Sequence, residues 1–319
     1  MADGDNVFVY LGGEQEVPDG ITHAVIDPSV NIVLDRAFYN RQLVSVIFHD
    51  GVEIIEAGAF YGCESLPRIK LLGVREIGNG AFNGCYALSD VEFGDRLEII
   101  GHYAFFKCSL RSIKMQSVRS IAASAFGYCN QLTDVEFGID LEGIGTESFK
   151  HCYRLQRIAI PLKENLFPLN MGGRCTQFDG CKNLSTVDIV GAEGLRKTIS
   201  SLLIEGWRDE MNQEIHRINR ELPDIDADEK TNAIRQWIRS VINRMEHYKA
   251  EHNRLLREHM TQLELAVWKA KIDERDDDST QKVQAKRARI DEDSIRKEKR
   301  ITSGADIIIK NVLPFLGLQ

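Results

Sequence analysis

A repeated pattern between Ala37 and Ile189 constrains the fold of this chain more than any other feature. Each full copy has a small residue and Phe, then Cys after two variable positions, then an apolar residue that leads into an alternating apolar segment. Successive Phe residues lie 22, 22, 23, 21, 23 and 29 positions apart. A regular period of this size is typical of solenoids, in which each repeat buries its apolar residues against its neighbours. The copies contain Phe38, Phe60, Phe82, Phe105, Phe126, Phe149 and Phe178.

The apolar segment after each Cys alternates and is rich in Val, Ile and Phe, which predicts a short β-strand. A second apolar pair precedes each Ala-Phe and predicts the opposite wall of the coil. We therefore expect about seven stacked coils whose strands pair in parallel, about 4.8 Å apart, with the Phe residues stacked between the walls. The six repeat Cys residues should form an inward column of free, buried thiols.

This pattern resembles the signature of the BspA-like leucine-rich repeat family, I-x-x-x-A-F-x-x-C-x-x-L-x-x-I-x-L-P. Pro161 stands where the family has its proline, whereas Leu72, Gly94 and Gly138 stand there in other copies. The resemblance covers about half of the chain, and it implies a leucine-rich-repeat solenoid that binds a ligand or partner and has no enzymatic activity. The order of segments also looks like that of uncharacterised leucine-rich-repeat proteins from unicellular algae.

The polar residues between the apolar strand positions change sign from copy to copy, and the turns after the strands also alternate between two types. Such residues face solvent, so in-register stacking should place Lys70 beside Glu92, Glu92 beside Lys114, and Lys114 beside Glu136. Opposite charges on paired strands stabilise the pairing. The alternation either only fixes the register or also forms a docking surface for a protein partner. The candidate partner-binding residues are Arg68, Lys70, Asp90, Glu92, Ser112, Lys114, Asp134, Glu136 and Arg157.

Beyond Gly194 the apolar residues recur at helical spacing, which predicts an α-helical hairpin and an α+β chain overall. Leu222-Pro223 should end the first helix, and Asp226 with Glu229 should begin the second. The far part of the second helix exposes an apolar stripe, the predicted hairpin contact, which self-associates, meets a partner or is covered by the tail. Its residues are Leu263, Val267 and Trp268. The predicted segments are an N-terminal cap (1–34), the repeats (35–191), the hairpin (192–275), a charged linker (276–303) and an apolar C-terminal segment (304–319).

Charge and targeting patterns limit the function classes. The net charge of −8 argues against general polyanion binding, so nucleic acid is an unfavoured partner. The seven Cys and the absence of a signal-like start favour a reducing compartment, and no apolar run is long enough to cross a membrane. Residues 282–300 are rich in Lys and Arg and resemble a loose nuclear-import signal. We therefore expect a cytoplasmic protein, or a nuclear one if that segment directs import.

Chemistry-bearing motifs are weak throughout. Gly143 to Ser148 lacks the Lys of a phosphate loop, and His247, His252 and His259 are better explained as packing residues than as metal ligands. The sequence therefore predicts no catalytic residues, no metal and no cofactor. The favoured function is a noncatalytic interaction scaffold with a protein partner and with homo-oligomerisation through the C-terminal helices. The alternatives are a nuclear adaptor with a basic tail, a cell-surface adhesin-like binding protein, and an enzyme with a divergent cleft.

Overall fold

The repeats stack as a solenoid of parallel strands, and helices follow them, as the sequence predicts. The computed structural model describes residues 7–13, 15–191 and 201–282. The predicted segment 304–319 and most of the linker 276–303 lie outside these ranges. The alternation of buried and exposed residues along each strand explains the architecture, because one side of every strand turns into the coil.

Most coils contribute one strand to a front wall and a shorter strand to a rear wall. The front strands are β1 (Val7–Tyr10), β2 (His23–Ile26), β4 (Ser45–Ile47), β6 (Arg68–Leu71), β8 (Asp90–Phe93), β10 (Ser112–Met115), β12 (Asp134–Phe137), β14 (Arg157–Pro161) and β15 (Thr186–Val190). The rear strands are β3 (Ile32–Val33), β5 (Ile54–Ile55), β7 (Glu76–Ile77), β9 (Ile99–Ile100), β11 (Ser120–Ile121) and β13 (Gly143–Ile144). The rear strands form one parallel sheet in chain order, whereas the front strands form three separate sheets.

The two gaps in the front wall have local causes. At the position before the strand, each N–H normally donates to the coil before it, as Ser89 does to the Pro67 carbonyl oxygen at 3.0 Å. Pro67 has no N–H to donate, and β6 does not pair with β4, the front strand of the preceding coil. The second gap, between β8 and β10, falls where one residue instead of two separates Cys108 from Leu110.

The centre of the solenoid is a column of stacked Phe rings. Phe60 and Phe82 lie 5.2 Å apart between ring centroids, Phe82 and Phe105 also 5.2 Å, and all three are fully buried. Offset stacking of this kind adds to the free energy gained from removing the rings from water. The predicted aromatic column is confirmed.

A column of Cys residues runs beside the Phe rings, and each thiol donates a weak hydrogen bond to a Phe carbonyl oxygen of the preceding coil. The sulfur–oxygen distance is 3.2 Å both for Cys63 with Phe38 and for Cys129 with Phe105. Burial away from water raises the pKa of Cys63 and of Cys129 to about 12. All seven Cys are free and buried, so the predicted thiol state is confirmed.

Two helices follow the repeats, α1 (Ser201–Glu221) and α2 (Lys230–Lys282), joined through the 3₁₀ turn Leu222–Asp224. Within the compact unit that contains the solenoid and residues 204–246, they run antiparallel. The indole Nε1 of Trp237 donates to the Glu214 carbonyl oxygen at 3.2 Å, and Arg244 reaches the Glu214 carboxylate at 3.0 Å. The predicted hairpin is therefore formed in this unit, and α2 continues into a second unit from residue 247.

The start of α2 closes the last coil of the solenoid. Lys230 is 1% exposed, and its ammonium group donates to the carbonyl oxygens of Lys182 at 2.8 Å and Leu184 at 2.6 Å. Burial lowers the pKa of Lys230. These carbonyl oxygens belong to the last coil of the described solenoid, where no N–H of a further described coil donates to them.

The backbone N–H groups of the last coil that lack a neighbouring coil donate instead to side chains of the helical region. Solenoids need such terminal caps because a bare end exposes apolar surface and unpaired backbone groups. The sequence analysis assigned the hairpin to oligomerisation and did not predict this role. The N–H groups of Phe178, Gly180 and Val187 donate to side-chain oxygens of Thr231, Asp228 and Asn219 at 3.0, 3.1 and 2.7 Å.

Candidate functional site

The outward side of the four central front strands carries the predicted partner-binding residues, and we call it the charged strand face. It is made by β6, β8, β10 and β12, whose inward positions hold the buried Ile69, Val91, Ile113 and Val135. Because alternate residues of a strand point to opposite sides, the neighbouring polar side chains face solvent. The face comprises Arg68, Lys70, Asp90, Glu92, Ser112, Lys114, Asp134 and Glu136.

Two of the predicted charge pairs are formed on this face. Lys70 pairs in register with Glu92, and its ammonium nitrogen lies 2.7 Å from a carboxylate oxygen. Lys114 pairs in register with Glu136 at 3.6 Å. The side chains of Lys70, Glu92 and Lys114 are 72%, 52% and 70% exposed. The hydrogen bond to Glu92 raises the pKa of Lys70.

The predicted pairing of Glu92 with Lys114 is wrong. These residues belong to β8 and β10, which share no hydrogen-bonded ladder. The one-residue shortening after Cys108 falls at this boundary. The charged strand face therefore consists of two ion-paired halves that meet between β8 and β10.

Arg157 lies beside the face rather than freely on it. Its guanidinium group contacts Asp134 at 3.2 Å and Asp188 at 2.6 Å, and its side chain is only 35% exposed. It ties β12, β14 and β15 together. The sequence analysis did not select Asp188, although the position matches that of Glu136 in the coil register.

A second charged column, which the sequence analysis did not select, lies in the turns that lead to the rear strands. We call it the charged turn ladder. Each backbone N–H in it donates to the carbonyl of the preceding member, at 2.7 to 2.9 Å. Arg75 binds Glu98 at 3.2 Å, and Arg119 binds Glu142, which lowers the pKa of that carboxyl. The regular spacing of these charges in the sequence could have predicted this column. The members are Glu53, Arg75, Glu98, Arg119 and Glu142.

An open groove of about 750 Å³ follows the charged turn ladder. Besides the ladder it is lined by Asp95, Arg96, Ser117, Asp140 and Lys163. Both signs of charge alternate along it, so it does not favour a ligand of a single charge. Among the described residues, no group of three or more His, Cys, Asp or Glu side chains could hold a metal ion.

The strand face and the turn ladder carry the same sign in each coil. The coil of β6 is basic in both, with Lys70 and Arg75, and the coil of β8 is acidic in both, with Glu92 and Glu98. The pattern then repeats, with Lys114 and Arg119 followed by Glu136 and Glu142. The two columns together form stripes of alternating charge across the solenoid.

The predicted hairpin contact lies in the second unit, on α2. Leu263, Val267 and Trp268 are 63%, 50% and 68% exposed, as expected, and Leu265 is exposed as well. Within the described ranges, no helix combines the length and the apolar character needed to cross a bilayer.

Comparison with known families identifies the repeats. Residues 31–152 and 72–185 match the family described as the BspA type leucine rich repeat region, in six copies. The two matches together span residues 31–185, so this segment is similar to that family. The expected resemblance of the repeats is thereby confirmed, and the resemblance of the whole segment order to algal proteins stays a prediction.

Solved structures of several leucine-rich repeat proteins resemble the chain. The leucine rich repeat protein TpLRR of T. pallidum is 29% identical over 52% of this chain and 68% of its own, with a TM-score of 0.39. The pneumococcal vaccine antigen PcpA is 20% identical over 57% and 66%, with a TM-score of 0.34. A leucine rich cell surface protein of Faecalibacterium prausnitzii is 16% identical over 59% and 89%, with a TM-score of 0.31. No curated protein matches the chain significantly.

Proposed function

We propose that this chain is a noncatalytic protein-interaction module whose contact surface is the charged strand face. The observation that carries the proposal is the alternation of charge sign, coil by coil, at outward positions, of which those of Lys70, Glu92 and Lys114 are more than half exposed. A protein partner with a complementary charge pattern would find there a rigid, regularly spaced set of sites.

Energetics support a role in recognition over one in stability. The ion pair of Lys70 with Glu92 is exposed, and exposed pairs contribute little to folding because water and salt screen them. The buried Phe and Cys columns already hold the coils together and fix their register. Charge patterns across an interface, by contrast, select partners and set their alignment.

The exposed stripe of Leu263, Val267 and Trp268 is proposed as a second contact. Apolar side chains of this size are enriched at interfaces when they are grouped on a surface. The seven free thiols of the described chain support a reducing compartment, so we place the protein in the cytoplasm as part of the same proposal.

The proposal can be tested by comparing the proteins captured by tagged full-length variants from a native lysate. The test variant carries Lys70→Glu and Lys114→Glu, which reverses one charge in each basic stripe of the face. The matched control carries Arg254→Glu and Lys269→Glu, two exposed charges on α2. We expect the test variant to lose proteins that the wild type and the control retain. An identical set of proteins from all three would contradict the proposal.

A further inference from the structure

The charge order on the four central coils is basic, acidic, basic, acidic. When this order is read backwards, each coil is opposite in sign to the coil at the same place in the forward order. Closed homodimers use the same surface on both subunits, related by a twofold axis. A twofold axis parallel to the front strands reverses the order of the coils and keeps each position along a strand. The first coil then faces the fourth of a second copy, and the second faces the third. Every basic stripe therefore meets an acidic one.

We propose that the charged strand face binds a second copy of this chain about a twofold axis between β8 and β10. This inference rests on the proposed function, because it names the partner of the same face. The side chains match along the charged strand face. The facing pairs are Lys70 with Glu136, Glu92 with Lys114, Arg68 with Asp134 and Asp90 with Ser112 of the second copy.

The sign pattern also excludes the other face-to-face arrangement. An axis along the solenoid would place each coil opposite its own copy, so that the basic coil of Lys70 would face a basic coil and the acidic coil of Glu92 an acidic one. Like charges brought together across an interface repel each other and disfavour the complex. One arrangement is selected, and its axis coincides with the gap in the front wall.

The residues nearest this axis are suited to bridge it. Glu92 and Lys114 are 52% and 70% exposed, and no ion pair joins them within the described part of the chain. Each already has one partner in its own half, at 2.7 and 3.6 Å. Contacts across the axis would join the two ion-paired halves into one network, and networks contribute more than isolated surface pairs.

The repeat distance favours a second solenoid over other partners. Paired strands lie about 4.8 Å apart in both copies, and the twofold axis passes through the gap between β8 and β10, so the matched charges remain in phase over all four coils. Residues on one side of an extended peptide recur about every 6.6–6.8 Å and fall out of phase at once. Seven residues of a helix advance about 10.5 Å, whereas two coils of the solenoid advance about 9.6 Å. Charges on a helical partner would therefore also lose register with the coils, although more slowly than those on an extended peptide.

Two full-length variants provide the test. The basic-face variant carries Glu92→Lys and Glu136→Lys, and the acidic-face variant carries Lys70→Glu and Lys114→Glu. Both lose the same two internal ion pairs, and the basic-face variant also loses the hydrogen bond from Gln116 to Glu136, so the free energy of unfolding of each variant is measured alongside. Sedimentation velocity should show a wild-type dimer, a dimer Kd raised roughly tenfold or more in each variant alone, and a heterodimer in their equimolar mixture.

The mixture separates self-association from a purely internal role of the charges, because mixing restores only contacts between chains. A monomeric wild type over the micromolar range, a dimer retained by both single variants, or a mixture that stays monomeric would each overturn the inference. If the wild type is monomeric and the acidic-face variant still loses captured proteins, this inference fails while the proposed function stands. If neither self-association nor capture depends on the face, both fail.

Discussion

The buried thiol column should make the protein lose stability at alkaline pH. The perturbation is the double substitution Cys63→Ala and Cys129→Ala, which removes two titrating groups and adds none. Burial raises the pKa of each thiol to about 12 in the folded chain. An exposed thiol in the unfolded chain has an ordinary pKa of about 8.5.

The direction and the size of the stability change with pH follow from these two pKa values. Because the folded pKa lies above the unfolded one, each thiol's stabilisation is complete below about pH 8.5 and is lost as the pH rises toward 12. At about pH 9.5, unfolding releases a proton from nearly every such thiol, which costs the native state about 1.4 kcal/mol per thiol relative to neutral pH. Cys63 and Cys129 together should account for about 2.8 kcal/mol.

Urea unfolding under reducing conditions at pH 7.5 and 9.5 measures this effect. The cavities left by Ala destabilise the variant equally at both pH values, and exposed groups titrate alike in both proteins. We expect the free-energy difference between wild type and variant to fall by about 2.8 kcal/mol between the two pH values. An unchanged difference would refute the account of the thiols as buried, neutral groups.

Three further predictions concern the core, the cap and the strand face. Phe105→Ala should lower the free energy of unfolding by about 3–5 kcal/mol, since it opens a cavity between two stacked rings; a loss below about 1 kcal/mol in chemical denaturation would contradict the packing. Lys230→Met should cost about 1–3 kcal/mol because it leaves buried carbonyl groups unpaired, while Lys182→Met, at an exposed position, should leave the denaturation midpoint unchanged. Glu92→Lys should cost less than about 1 kcal/mol, and salt should reduce that loss; a salt-independent loss would argue against an electrostatic origin.

Much of the fold follows from local pattern. The Phe column, the thiol column and the pairing of Lys70 with Glu92 depend only on a period that places equivalent residues one above another. The break between β8 and β10 was also encoded, in the single residue between Cys108 and Leu110. Periodicity alone gave no measure of how a one-residue deletion affects the next strand.

The cap could not be predicted in this way. Lys230 donates to backbone groups of residues 182 and 184, which lie 48 and 46 positions earlier in the chain. No periodic signal connects a helix start with a turn so far away, and a buried Lys contradicts the usual preference for solvent. The charged turn ladder was different, because its regular spacing is readable in the sequence, and only the position of these turns relative to the strand face required the structure.

Zero-length cross-linking of an isotope mixture tests the central claim most directly. Equal amounts of ¹⁴N- and ¹⁵N-labelled full-length protein are mixed and treated with a carbodiimide, which joins only ammonium and carboxylate groups in contact. The account predicts peptides of mixed isotope content that join Lys114 to Glu92 and Lys70 to Glu136. Cross-links confined to chains of a single isotope, such as Lys70 to Glu92, would contradict it.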